Sequence, residues 1–155
     1  MKWAKLLLRN QRGQSAVEFA LALPVFLLTL IGIMDFGLGI YYYNTVSQLA
    51  REGARAAVVL QSSSDWSTPG NAPGVYTSIG TYAGTNTIVG RIAAQAGALD
   101  PNSTTVTISA PDGTSLNLNL PVSVEVDYPF SPVLAHWLGI ASTIDLSSQA
   151  TMRIE

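Results

Sequence analysis

Few side chains in this sequence could do chemistry, and their placement says what kind. Cysteine is absent and His136 is the sole histidine. Thiolate nucleophiles and cysteine metal sites therefore have no material to work with, and a lone histidine argues against a zinc site or a histidine-based triad. Glu125 and Asp127 fall on the polar face of an expected strand, where solvated carboxylates are the ordinary case and a chelated cation the alternative. Asp112 belongs to the turn Pro111-Asp112-Gly113. With no convergent nucleophile–base pair, the sequence predicts no catalytic residue, no metal ligand and no cofactor, and an enzyme is not expected.

Two other acids stand where acids are costly. Glu18 precedes an uncharged run of 16 residues, Phe19 to Met34, and Asp35 separates it from a second run of 15, Phe36 to Ala50. An acid at the centre of a bilayer costs about 2.5–3.5 kcal/mol, so each needs a partner or an interface. Upstream of Glu18 the chain reads Gly13-Gln14-Ser15-Ala16-Val17, then Glu18-Phe19. A glycine before a scissile bond lets extended backbone enter a narrow peptidase cleft. If the chain is cut after Gly13, as the family resemblance given below implies, Gln14 gains a free amine about one helical turn from Glu18, or near that of a neighbouring subunit. The alternative is Glu18 at the membrane surface beside Arg12.

Asp35 shares a helix face with Gly32 and Gly39, and Gly53 continues the heptad spacing through Val46. Small residues let membrane helices approach closely, and an intramembrane acid usually faces a partner. For Asp35 two readings stand level: a partner helix, or hydration near the outer interface. Pro24 removes a backbone hydrogen bond and is expected to kink the span.

These residues need a long helix to position them. Only 12% of the chain is charged, about half the usual share, and the charge is segregated. Lys2, Lys5, Arg9 and Arg12 give residues 1–13 a charge of +4, against −6 for the remainder. That remainder would repel phosphate, which argues against nucleic acid as a partner. An apolar stretch of roughly 20 residues crosses a bilayer, so a span at about 19–38 is expected, with the cationic N-terminus in the cytoplasm. Tyr41, Tyr42 and Tyr43 would sit in the outer aromatic belt. Ala20-Leu21-Ala22 offers a cleavage pattern of secretory type, but it lies at the start of the apolar run rather than after it. From Asn44 onward, Val46, Leu49, Ala50, Gly53, Ala54, Ala57 and Val58 form an amphipathic stripe with Glu52 and Arg55 beside it. One helix over about 14–60 would be roughly 70 Å long, its outer half amphipathic over about 44–60.

Residues 61–86 read as an irregular Ser/Gly/Thr-rich loop, whose Trp66, Tyr76 and Tyr82 either anchor it or offer stacking surfaces for a glycan or partner. Residues 87–155 read as an α+β domain. Thr85 or Asn86 would cap a helix at about 87–98 ended by Asp100-Pro101. Alternating strands are expected at 105–108, 116–120, 122–126 and 144–154, with Pro121 marking a bent or edge strand, or two strands. Pro132 to Leu138 suits a short apolar helix with His136 at its surface or cap. The expected fold class is α+β: a long N-terminal membrane-spanning helix with a three- or four-stranded antiparallel sheet packed on its outer half.

Several of these pieces together resemble one family. Val17-Glu18-Phe19-Ala20, Leu23-Pro24, Asp35-Phe36-Gly37 and Ala50-Arg51-Glu52-Gly53-Ala54-Arg55 agree in order and spacing with the TadE-like pseudopilins of the tight-adherence (Tad) pilus, a pilin-like group. Tyr128-Pro129-Phe130-Ser131-Pro132 and the final Ala150 to Glu155 are similar to it as well, whereas 61–120 shows no usable likeness. The resemblance implies a prepilin-type leader, residues 1–13, removed after Gly13 on the cytoplasmic side. Gly13, Gln14, Glu18 and Phe19 would be the processing residues; Glu18, Pro24, Gly32, Asp35, Gly39 and Gly53 would serve helix packing and assembly. It implies as partners the membrane, a prepilin peptidase, the major pilin and other pseudopilins, and an inner-membrane assembly platform. The chain would be a single-pass inner-membrane protein with its C-terminal domain extracytoplasmic, and a pilus outside the cell is a further expected location. The rival expectation is an unprocessed single-pass anchor displaying a glycan- or surface-binding domain.

Overall fold

The computed structural model describes residues 11–60, 68–110, 120–140 and 143–153. Helix α1, Gln11–Leu60, runs 50 residues, about 75 Å at the α-helical rise. It passes Pro24 without a break in the helix. Strand β1 is Gly74–Thr77, followed by a 3₁₀ turn at Ile79–Tyr82, helix α2 at Ile88–Gln95, β2 at Thr105–Ser109, β3 at Pro121–Phe130, helix α3 at Val133–Trp137 and β4 at Ile144–Arg153. The sheet order is β1-β2-β3-β4, every neighbour antiparallel. The α+β class and the sheet packed on the outer half of the long helix are as the periodicities predict.

The sheet and α2 together cover the amphipathic stripe. Val46, Leu49, Ala50, Ala54, Ala57 and Leu60 from α1 join Ile88, Val89 and Ile92 from α2 and Val106, Ile108, Val122, Val124 and Val126 from the sheet in one buried cluster. Alternation puts the valines of β3 inward and Ser123, Glu125 and Asp127 outward. Gly53 sits where α1 presses closest. A Cβ there would lie 2.7 Å from Ile92 Cδ1 and 2.8 Å from Val124 Cγ1, so only glycine lets helix, helix and strand meet at this point.

Several local expectations need correcting. The cap of α2 is Thr87, one or two residues later than expected: its hydroxyl accepts from the Gly90 N–H at 3.0 Å, while Thr85 bonds Thr87 and the Tyr82 carbonyl. Buried Asn71 supplies a second cap, its Oδ1 accepting from the Ile88 N–H at 2.9 Å. The helix stops at Gln95 because Gly97 takes a left-handed φ of 60° two residues on. Pro121 does not bend an edge strand; it is the first residue of the ten-residue inner strand β3, a position where its missing N–H is tolerated, and a division into two strands would fall on residues outside the described ones. Part of the expected 61–86 loop is ordered: β1 pairs Gly74–Thr77 with Ile108–Thr105, and Tyr76 and Tyr82 meet edge to face at 5.6 Å against the core. Those two tyrosines anchor the segment. Trp66, the Pro111-Asp112-Gly113 turn and all of the 116–120 strand but Leu120 lie outside the described residues.

Candidate assembly surface and processing site

Helix α1 has two halves that differ in what surrounds them. From Gly13 to Met34 nearly every side chain is exposed, including Leu21, Val25, Phe26, Leu30 and Ile33. These 22 residues span about 33 Å, close to the roughly 30 Å hydrocarbon core of a bilayer. The helix is long and apolar enough to cross a membrane, and no residue of its most apolar stretch is buried. It therefore fits a single-pass membrane protein. From Asp35 onward a stripe of α1 is covered by the outer domain.

Glu18 and Asp35 mark the two ends of the bare half, 17 residues or about 26 Å apart. Glu18 is exposed and accepts a hydrogen bond from Gln14 Nε2 at 3.1 Å. Gln14 and Glu18 thus face each other across one turn through their side chains. Gly13 and Gln14 lie in the first described turn of α1. Phe19 and Pro24 are exposed on the same bare half. Residues 1–10 lie outside the described residues.

Asp35 meets neither of the two fates weighed from sequence. It is only 7% exposed, and its carboxylate accepts from the backbone N–H of Val133 at 3.1 Å and of Leu134 at 2.7 Å. Those are the first two residues of α3, and the preceding Pro132 has no side chain that can cap. An acid 98 residues away in sequence therefore caps this helix, and the charge it brings is matched by two oriented donors.

The small residues of the same face meet the chain's own side chains to different degrees. A Cβ on Gly32 would lie 4.0 Å from Leu134, one on Gly39 3.5 Å from Phe130, and Gly53 is filled by Ile92 and Val124. Of the four positions expected to serve helix packing and assembly, Asp35 and Gly53 are taken up by the chain's own domain, Gly39 meets Phe130 while also lining an open groove, and Gly32 only touches Leu134. Their spacing explains the fit. Gly39 to Gly53 spans about 21 Å of helix, and Phe130 to Val124 spans roughly 20 Å of strand, so β3 runs down α1 in register and delivers α3 to Asp35. Sequence reasoning missed these contacts, although Phe130 and Pro132 were visible as a terminal motif. Tyr42 also departs from the expected aromatic belt, since it packs 5.6 Å from both Tyr128 and Phe130, whereas Tyr41 and Tyr43 stay exposed.

Higher on α1, Arg55 makes two 2.8 Å bonds to Glu52, which hold the Glu52 carboxyl below its ordinary range against the opposing effect of burial. Glu125 accepts from Ser147 on the outer face of the sheet. Among the described residues no three of His, Cys, Asp and Glu gather as a metal site. His136 is exposed in the last turn of α3.

Comparison with curated proteins and with solved structures gives no match. A family model described as TadE-like protein matches residues 13–55, which begins at the glycine of the junction and ends at Arg55 beside the core. Over this segment, from Gly13 through both acids to the Glu52–Arg55 pair, the chain is similar to that family.

Proposed function

We propose that this chain is a minor pilin or pseudopilin that takes part in assembly of a Tad-type pilus or a related secretion system after a prepilin peptidase cuts between Gly13 and Gln14. The observation that carries the reading is the division of α1. A bare apolar half the length of a bilayer carries Glu18 near its cytoplasmic end, and a covered half fixes a folded domain to its other end.

Bilayer lipid or neighbouring apolar helices would surround the bare half, so the same surface suits both a membrane store of subunits and a helical bundle. Cleavage requires the first turn to open, which costs little at a helix end. It would place a new cation within a turn of Glu18, or beside the Glu18 of an adjacent subunit. In a medium of low dielectric that pairing sets the axial register of one subunit against the next. With Asp35 and Gly53 taken up by the chain's own domain, Glu18, Phe19, Pro24 and the half-buried Gly32 and Gly39 are left for subunit packing. The work is assembly rather than catalysis. The partners this reading names are the peptidase, the major pilin, other pseudopilins and the inner-membrane assembly platform, with the outer domain on the extracytoplasmic side.

Intact-mass measurement of the protein from its native membrane tests processing. A chain starting at Gln14 is expected; one retaining Met1 to Gly13 would replace this reading with that of an unprocessed anchor. Glu18→Ala should abolish or sharply reduce pili while membrane insertion persists, and normal piliation by that variant would refute the register mechanism.

A further inference from the structure

We infer that the outer domain carries a second membrane contact: a foot made by α3 and the turn after it, seated in the outer leaflet of the bilayer that α1 crosses. This rests on reading α1 as a membrane span.

The foot is apolar and uncovered. Residues 132–140 contain no Asp, Glu, Lys or Arg. Trp137 is 71% exposed, and Val133, Leu138 and Ile140 are each more than half exposed. Such side chains are costly in water when grouped, and a single exposed cluster of this kind on a domain marks a contact surface.

Its position selects lipid as the occupant. Asp35 grips the start of α3, and Leu134 reaches the level of Gly32. Both α1 positions lie inside the span expected at about 19–38, roughly 4 to 9 Å short of its outer end. The foot is thus continuous with the bare, lipid-length surface of α1 and at the depth where tryptophan settles in membranes. Beside it an open groove of about 400 Å³ runs between α1 and the end of β4, lined by Phe36, Ile40, Phe130 and Ile144 with almost no polar surface. A groove of that lining suits an acyl chain. Among the described residues the only carboxylate in its wall is that of Asp35, which is turned to the α3 backbone. With no cation on the foot, binding is to the apolar part of the leaflet and is indifferent to lipid headgroup charge.

The absence of cysteine makes the test direct. Single nitroxide labels are placed by Leu138→Cys and, independently, Ile140→Cys in the full chain reconstituted in phosphatidylcholine vesicles. Phe26→Cys, in the bare half of α1, and Thr81→Cys, exposed on the 3₁₀ turn, serve as references. The ratio of oxygen to nickel-chelate accessibility should be several-fold higher at 138 and 140 than at 81, approaching that at 26. Ratios at 138 and 140 equal to that at 81 would overturn the foot. Shielding from both reagents, with spin–spin broadening that fades as protein is diluted in lipid, would also overturn it and assign the surface to a second copy. A water-like ratio at 26 would instead refute the span, and the foot with it.

Discussion

The two halves of α1 are built from similar apolar content and meet opposite surroundings. In the bare half, large side chains such as Leu21, Phe26 and Leu30 point in every direction, and no element among the described residues covers them. In the covered half, alanines, valine and glycine form a narrow stripe, with Arg51 and Arg55 outside it. A helix that is apolar all round needs an apolar solvent, whereas a striped one needs a single partner face. The changeover falls at Asp35, where the carboxylate ends the bare surface and holds the lowest element of the domain.

The comparison is most easily broken by truncating a leucine in each half. Leu49→Ala, at a site 2% exposed, should cost the outer domain about 2–5 kcal/mol in a denaturant melt in detergent. Leu27→Ala, 47% exposed, should leave that melt within about 0.5 kcal/mol; equal losses would mean that the halves are not independent. Asp35→Ala tests the boundary itself. It leaves two N–H groups uncapped and should cost about 1.5–3 kcal/mol, with faster amide exchange at Val133 and Leu134, while Asp35→Asn should retain part of the bonding.

Gly53→Val sharpens the claim that Gly53 is taken up by the chain's own domain. The added carbons meet Ile92 and Val124, and overpacking of this kind costs about 1–3 kcal/mol. Gly37→Ala, with nothing within 4 Å of the new Cβ, should be neutral or slightly stabilising in the same melt. The smallest effect belongs to the Glu52–Arg55 pair. The folded Glu52 carboxyl titrates below its ordinary value of 4.5, so its contribution is present above that pH and is lost as pH falls through the lower folded value. Arg55 is 60% exposed, so solvent screening leaves the pair only a small contribution. Glu52→Gln should flatten the acid limb of the stability profile by no more than that.

Much of this was legible in the residues. The absence of charge between Glu18 and Asp35 fixed the membrane-length segment, and the spacing from Val46 to Val58 fixed which face of α1 would be buried. Alternation located β2, the core of β3 and β4. The capping residue of α2 was misplaced because Thr85, Asn86 and Thr87 are chemically near equivalents as caps, and the choice among them is made by Asn71 and Gly70 closing on the helix start. Strand β1 escaped notice because four residues of mixed character become a strand only when Thr105–Ile108 offers an edge.

The sequence by itself determined the long helix, its apolar and striped halves, the junction at Gly13 and the α+β class, because these follow from local composition and period. Only the tertiary structure decided what packs on Gly53 and the second acid. Gly32, Asp35, Gly39 and Gly53 lie on one face for any helical reading, but a face does not name its occupant. For Asp35 and Gly53 that was settled by the length of β3, which matches the rise of α1 between Gly39 and Gly53 and so brings residues nearly a hundred positions away onto Asp35.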